Sequence, residues 1–246
     1  MHCQIIDANR RSAVSPLWTV PGLLSGVLLA PALRGQIFLH SVPSGQLWAT
    51  ICPSCHRRIR LIGFNARCPG CATRIGPPPG AVELVAGATL GLLIWRVPDP
   101  LPLLALSWIA LVGVVLAFVD GAVHRLPDRL TLTAFVGAAF ILALDDPTRA
   151  GWALLGSLAL GGCYLLLAVA NPAGMGLGDG KLALSLGLAL GWFGWIAVIY
   201  GAAAGFVLSG LFAIAMLVIG RLGRKDSIAH GPFMLLGALA AITLLA

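Results

Sequence analysis

Two aspartates lie at the edges of long apolar runs, where an ionised side chain is costly. Asp120 ends one run, in 118-FVDGAVHRLPDRLT-131, and Asp179 opens another, in 171-NPAGMGLGDGKLALSLG-187. Two carboxylates within hydrogen-bonding distance cannot both ionise comfortably, so the pair holds one proton, and one member acts as a base while the other acts as an acid. Such a pair can direct water at a peptide carbonyl without a covalent intermediate. The two aspartates are therefore candidate catalytic residues of aspartic-peptidase chemistry.

The surroundings of Asp179 suit this chemistry. Four glycines alternate around it: Gly174, Gly176, Gly178 and Gly180. Without Cβ atoms they would let an extended substrate backbone come near the carboxylate, and they would let the chain take positive φ before the next helix begins. A competing interpretation is that Asp120 and Asp179 are ordinary helix-end residues, with Asp179 as an N-cap.

The elements that must position these aspartates are membrane helices. The chain is 59% hydrophobic and 10% charged, far from the roughly 25% charged residues of a soluble domain. Its net charge of +7 is spread over short loops between apolar runs, with no basic face carrying interleaved aromatic residues. The composition therefore predicts an integral membrane protein whose partner is the lipid bilayer, and it excludes nucleic-acid binding.

About eight apolar segments are present. They lie near Leu17–Leu33, Ala81–Val97, Leu101–Val119, Leu130–Leu144, Gly151–Ala170, Leu182–Gly191, Phe193–Gly220 and Gly231–Ala246. The segments lack the alternating pattern of barrel strands, and their Gly and Ala content suits close helix packing. We therefore expect an all-α polytopic membrane protein with about eight transmembrane helices and a small cytoplasmic loop. Several segments are shorter than the ~20 residues of a perpendicular span.

Charge asymmetry predicts the orientation. If 34–74 is cytoplasmic, that side holds Arg34, Arg57, Arg58, Arg60, Arg67, Arg74, Arg125, Arg129, Lys181, Arg221, Arg224 and Lys225, and the other side holds Arg10, Arg11, Arg96 and Arg149. This excess of basic residues follows the positive-inside rule. Asp120 ends the third run and Asp179 opens the sixth, so both aspartates fall at the cytoplasmic side and at one membrane depth.

The cytoplasmic loop carries a second constellation, 52-CPSCHRRIRLIGFNARCPGC-71. Its two Cys-x-x-Cys pairs supply four thiolates, which satisfy the tetrahedral preference of zinc. The alternatives are disulfides, which cytoplasmic reduction disfavours, or unligated thiols. The pattern predicts a closed, structural Zn²⁺ site. The predicted ligands are Cys52, Cys55, Cys68 and Cys71.

Three further charged residues could support the site. Glu83 begins an apolar run, where a carboxylate usually faces the bundle interior, so it is either a structural hydrogen-bond anchor or part of the site. Lys181 could pair with a carboxylate, or it could snorkel from a helix start. Asp128 is a candidate for shaping its loop or binding substrate.

These motifs together resemble the bacterial prepilin peptidases, the type IV prepilin leader peptidase family. The motif 176-GLGD-179 resembles the family's second catalytic motif, and Asp120 with 126-LPDRLT-131 resembles the first. The cysteine loop, 80-GAVELVAGATLGLL-93 and 231-GPFMLLGA-238 also resemble family segments, in order along the chain. Gly-x-Gly-Asp is shared with presenilin-type intramembrane proteases, so the order of motifs adds specificity.

The resemblance implies a function and a domain division. Asp120 and Asp179 would be the catalytic pair, with Asp128, Gly176, Gly178, Lys181 and Glu83 in supporting or substrate-binding places. The substrate would be a type IV prepilin or pseudopilin, cut after a glycine at the cytoplasmic face of the inner membrane. Residues 1–79 would form the first transmembrane helix and the cysteine loop, a diverged methyltransferase-like region, and residues 80–246 would form the peptidase domain.

One segment departs from the family pattern. Bifunctional members methylate the new N-terminus with S-adenosylmethionine, and their first helix carries an asparagine and a basic-proline ending. Here the corresponding text is roughly 26-GVLLAPALRGQIFLHSVP-43, in which both features are altered, and the loop is short. S-adenosylmethionine is therefore a second candidate cofactor, but these departures from the family pattern argue against it.

Two other function classes compete with the peptidase. A proton-coupled transporter would use membrane carboxylates as a relay, but both aspartates lie at one face and no acidic or histidine chain crosses the bilayer. A non-catalytic component of a pilus or secretion assembly, built around the cysteine loop, would leave both aspartate motifs unused.

Overall fold

The computed structural model describes residues 19–43, 45–171, 175–221, 223 and 228–245. Within these ranges the chain folds into helices, and a long segment that contains the four paired cysteines joins the first helix to the second. The helices are α1 Thr19–His40, α2 Ala81–Arg96, α3 Pro100–Val123, α4 Asp128–Asp145, α5 Pro147–Ala170, α6 Leu177–Phe193, α7 Trp195–Val218 and α8 Gly231–Leu245. The described residues form no strand, apart from two isolated bridges in the cysteine loop.

The prediction of an all-α polytopic membrane protein is confirmed, and each predicted apolar segment corresponds to one helix. By length and hydropathy, α1, α3, α5 and α7 are the described helices that could cross a membrane unaided. The other four are shorter or more charged. Large apolar side chains cover the outside of the bundle, among them Leu28 at 75% exposure and Leu166 at 72%, as expected where lipid is the solvent.

Two helix ends differ from the predicted segments. α1 continues past Leu33 to His40, because Arg34, which looked like the start of a cytoplasmic loop, is buried within the helix at 0% exposure. α6 begins at Leu177 and not at Leu182, so Asp179 lies inside the first helical turn. In both cases a charged residue ended the apolar run, although the backbone continued as a helix.

α6 lies at the centre of the bundle. Most of its side chains are buried, including Leu182, Leu186 and Leu190, and it packs against α3, α4, α5 and α8. Its partner along the chain, α5, approaches closely at Gly156, where a Cβ would lie 2.9 Å from the Cα of Gly191. The helix that carries Asp179 is therefore held on several sides by protein.

α1 and α2 meet along a second face of glycines. A Cβ at Gly22 would lie 2.7 Å from the backbone nitrogen of Gly91, and Gly26 lies directly against Gly87 one turn further along. Small residues at such a crossing let two helix backbones approach and gain van der Waals contact. We call these four residues the glycine seam.

A buried ion pair locks the same two helices together. Arg34 of α1 donates to Glu83 of α2, with Nη2 2.6 Å from Oε2 and Nε 3.0 Å from Oε1. The remaining guanidinium donors reach the backbone carbonyls of Pro77 and Pro78, at 2.7 and 3.0 Å. A buried charge is tolerated where it is paired and its donors are satisfied, and Arg34 meets both conditions.

The cysteine loop folds back onto the C-terminal half of α1. The amide of Ile62 donates to the carbonyl of Pro31 at 3.3 Å, and the carbonyl of Arg60 lies directly against Gly35. A small apolar core forms around Ile59, Ile62 and Ile75, and Phe38 of α1 packs against it. The loop is therefore a compact module fixed to α1, and we call residues 49–76 the cysteine module.

Candidate active site and cysteine cluster

Asp120 lies in the last turn of α3 and is 5% exposed. Its Oδ2 accepts a hydrogen bond of 3.0 Å from the backbone amide of Gly231, the first residue of α8. The N-terminal end of a helix carries partial positive charge and free amides, so α8 stabilises negative charge on Asp120. A Cβ at Gly231 would lie 2.9 Å from this oxygen, which means that the contact depends on glycine.

Asp179 lies in the first turn of α6 and is 8% exposed. Its Oδ2 accepts a hydrogen bond of 3.1 Å from the backbone amide of Gly176, the residue before the helix. The helix-end role considered from the sequence is therefore present in part, but the aspartate is in the third helical position and not at the N-cap. Both aspartates thus point a carboxylate at a backbone amide and keep one oxygen free of these bonds.

Leu126 connects the two carboxylate sites. It lies in the turn between α3 and α4 and is 7% exposed. A Cβ at Gly178 would be 3.0 Å from the Cβ of Leu126, and a Cβ at Gly231 would be 3.5 Å from its Cδ2. The start of α6 and the start of α8 therefore approach the same side chain, and the carboxylates of Asp120 and Asp179 lie within electrostatic range of each other.

Tyr164 and His230 form a polar contact beside this pair. The Tyr164 hydroxyl, buried in α5, lies 3.3 Å from Nε2 of His230, and Phe206 packs against both rings. Tyr164 is also within electrostatic range of Asp179, while His230 directly precedes Gly231. None of Tyr164, His230, Leu126 and Gly231 is predicted as a site residue from the sequence. The one signal for them was that Gly231 and its neighbours belong to a motif.

The glycines around Asp179 differ from their predicted role in one respect. Gly176 has φ −81°, and neither Gly178 nor Gly180 has positive φ, so the expected left-handed backbone is wrong at these three positions. The absence of a side chain lets these glycines pack closely, because Gly178 faces Leu126 and Gly180 packs on the backbone of Leu165. Gly174 lies outside the described residues.

Asp128 and Lys181 form an ion pair at the surface, next to the aspartates. Nζ of Lys181 lies 2.6 Å from Oδ1 of Asp128, and the two side chains are 47% and 72% exposed. The pair joins the first turn of α4 to the first turn of α6. It therefore links the segment that follows Asp120 to the segment that holds Asp179. Glu83 lies elsewhere, in the buried pair with Arg34.

The four cysteines of the module converge on one point. Their Sγ atoms all lie within 4.8 Å of one another, with 3.7 Å between Cys52 and Cys71 and 3.6 Å between Cys55 and Cys68. A tetrahedral ion with metal–sulfur bonds of ~2.3 Å needs sulfurs about 3.8 Å apart. The cluster therefore has the geometry to hold a metal ion.

The two Cys-x-x-Cys turns are built alike. The amide of Cys52 donates to the carbonyl of Arg57, and the amide of Cys68 donates to that of Thr73, at 2.8 and 2.9 Å. The residue after each second cysteine takes a left-handed conformation, with φ 55° at His56 and 57° at Ala72. A hydrogen bond with the Thr73 hydroxyl lowers the pKa of Cys71 to about 6, which favours the thiolate at this cysteine, whereas burial and the neighbouring thiols raise the pKa of Cys55.

Fold and site define a class: a polytopic helical membrane protein with two buried aspartates at adjoining helix ends and a cysteine cluster beside the bundle. Residues 103–219 of the chain match the type IV leader peptidase family, and this range includes both aspartates. This match confirms the resemblance found in the sequence.

Relatives match over most of the chain. A protein named prepilin leader peptidase/N-methyltransferase from Aeromonas salmonicida (strain A449) is 27% identical over 212 residues, 78% of this chain and 69% of the relative. A protein of the same name from Dichelobacter nodosus is 28% identical, and the match covers 84% of this chain and 73% of the relative. Another, from Neisseria gonorrhoeae, is 28% identical, and the match covers 74% of this chain and 66% of the relative. No solved structure matches significantly.

Proposed function

We propose that the chain is a membrane-embedded aspartic endopeptidase that removes the leader of type IV prepilins or pseudopilins. One observation carries the proposal. Asp120 and Asp179, buried at two adjoining helix ends, each accept a backbone hydrogen bond and lie within electrostatic range of each other inside the matched family region. The relatives' name supports the substrate class.

The chemistry follows from two carboxylates that share one proton. The ionised aspartate takes a proton from water, and the protonated one donates a hydrogen bond to the scissile carbonyl oxygen. The water oxygen bonds to the carbonyl carbon, and the proton returns to the amine nitrogen as the C–N bond breaks. The amides of Gly176 and Gly231 orient the carboxylates throughout. The Asp128–Lys181 pair braces the two segments or contacts the leader.

A direct assay tests the proposal. The purified chain, or membranes that contain it, is incubated with a prepilin from the same source, and the product is analysed by gel shift and N-terminal sequencing. The expected result is a new N-terminus at the residue that directly follows the leader glycine, just before the apolar helix of the prepilin. If prepilins and pseudopilins of that source all stay uncut while the chain is folded and inserted, the peptidase proposal is wrong.

Gly231→Ala should reduce cleavage by about a hundredfold, because displacement of a catalytic group by an ångström costs that much. The added Cβ lies 2.9 Å from Oδ2 of Asp120, so either the carboxylate or the start of α8 has to move. Initial rates of prepilin cleavage measure the effect. Gly121→Ala is the matched control, because it is next to Asp120 and its Cβ meets nothing within 4 Å. Equal rates in both variants would contradict the role of the Gly231 amide.

The metal is proposed to be a structural zinc ion held by the four cysteines. Four sulfurs fill a tetrahedral site and leave no position for substrate, so its role is to fold the cysteine module. Elemental analysis of the purified protein should find about one zinc per chain, and Cys68→Ser should lose most of it. Cys163→Ser, which changes an exposed cysteine outside the cluster, should keep the metal. Equal zinc in both variants would contradict the assignment.

We place the chain in the inner membrane with the site facing the cytoplasm. The basic excess on the side of the cysteine module supports this orientation, and so do its four cysteines, which form no disulfide. The division into 1–79 and 80–246 is retained as a functional one, with the cysteine module in the first part and both aspartates in the second.

Methylation of the new N-terminus is a separate question. The relatives' name includes N-methyltransferase, whereas the segment 26–43 departs from the pattern of bifunctional members. We propose that the peptidase is intact and that methylation is either lost or carried by altered contacts. Incubation of the chain with labelled S-adenosylmethionine and a cleaved pilin decides between them, and absence of label in the pilin would remove the second activity.

A further inference from the structure

An apolar cavity of about 320 Å³ lies among α2, α3, α6 and α8. Thr89 is the one polar side chain among its described lining residues. The α3 side carries small residues at helical spacing, Ala110, Gly113 and Ala117, while Leu235 and Leu239 lie opposite on α8. We call this cavity the apolar groove.

The groove begins at the candidate active site. Ala117 and Phe118 line its near end and lie within one turn of Asp120, and Pro232 follows Gly231, whose amide binds Asp120. From Phe118 the lining continues along α3 to Leu106, a distance of roughly 18 Å at 1.5 Å per helical residue. The groove therefore leads from one catalytic carboxylate into the apolar interior of the bundle.

The groove is also open toward lipid between α2 and α8. Val85 and Leu236 lie at this opening and are 39% and 52% exposed. A molecule could therefore enter sideways from the bilayer without passing through the bundle. Gly113 already packs against Leu235 of α8, so Ala110 and Ala117 are the small residues of α3 that would let a substrate helix approach closely. Such packing is what drives helix association in lipid.

We propose that the apolar groove binds one face of the substrate's apolar helix, the segment that directly follows the scissile bond. The inference rests on the proposed function, and it identifies the surface that holds the substrate during cleavage. A substrate that is cut at the aspartates and continues as an apolar helix has to leave the site through apolar surroundings. The groove starts at Asp120 and provides such surroundings. Its volume admits several side chains of one helix face, so lipid covers the other face.

Photo-cross-linking in membranes tests the inference. p-Benzoyl-phenylalanine replaces Val85 or Leu236 in full-length Asp179→Asn protein, which is expected to hold a co-expressed prepilin uncut. The matched controls are Leu84, adjacent on α2 and 74% exposed, and Leu158 on α5, 57% exposed, neither of which lines the groove. The expected result is a prepilin adduct at Val85 and Leu236, mapped by mass spectrometry to the apolar helix, and none at the controls.

Other outcomes separate the two proposals. Adducts with lipid alone at Val85 and Leu236, or equal prepilin adducts at the controls, would overturn the groove while wild-type protein still cuts the same prepilin. If the wild-type protein does not cut that prepilin or any other, the proposed function fails and the groove inference falls with it.

Discussion

Asp179→Asn and Asp120→Asn should each abolish prepilin cleavage while the protein stays folded and inserted. Asparagine preserves the shape of the side chain and can still accept the amide hydrogen bond of Gly176 or Gly231. It can neither take a proton from water nor return one to the leaving amine, and loss of such a general acid–base typically costs about 10²–10⁴-fold in rate. The rate of leader removal, followed by gel shift, measures the effect.

The matched control for this pair is Asp99→Asn. Asp99 lies at the start of α3, is exposed, and makes no capping hydrogen bond through its side chain, so the exchange should leave the rate unchanged. Retained cleavage in either Asp120→Asn or Asp179→Asn would rule out the shared-proton mechanism. A loss of rate in all three variants would instead indicate a general loss of folded protein.

Glu83→Gln should lower the free energy of unfolding by about 3–5 kcal/mol, because it leaves a charged guanidinium buried without its counter-ion. Arg34 is fully buried, and only neutral acceptors would remain for it, namely the carbonyls of Pro77 and Pro78 and the amide oxygen of the new glutamine side chain. The melting temperature in detergent, compared with that of the wild type, measures the loss.

Two further variants separate charge from packing. The double variant Arg34→Met with Glu83→Leu removes both charges and should recover most of the lost stability, since apolar replacement of a buried pair is often neutral. Lys181→Gln breaks an ion pair of the same 2.6 Å length, but its partners are 47% and 72% exposed, so its cost should stay below about 1 kcal/mol. A cost for Glu83→Gln no larger than that for Lys181→Gln would contradict the argument.

The helices could be predicted from the sequence because hydropathy is a local property. Every apolar run became a helix, since a backbone in lipid has to satisfy its own hydrogen bonds. The ends at Leu33 and Leu182 were wrong for one reason: a charge stops a hydropathy pattern, but it does not stop a helix when a partner lies nearby. For Arg34 that partner is Glu83, 49 residues away.

The site could be predicted only in its chemically distinctive part. Asp120 and Asp179 stand out because carboxylates are rare in apolar runs, and topology places both at one depth. The amide of Gly231 is 111 residues from Asp120, and a backbone donor carries no signal in the residue type. Leu126 and Tyr164 resemble ordinary apolar or aromatic residues, so their places beside the aspartates depended on the packing of α5, α6 and α8.

The glycine seam bears on how this chain can be divided. The boundary at 79/80 separates the cysteine module from the aspartates, yet α1 and α2 on its two sides touch backbone to backbone and share the Arg34–Glu83 pair. A gene shortened to 80–246 would encode α2 without α1. Gly87 and Gly91 would then lack their packing partners, and Glu83 would lack Arg34. Two genes, one for each piece, should complement each other in the same cell, because the contacts that join the pieces do not need a peptide bond between them.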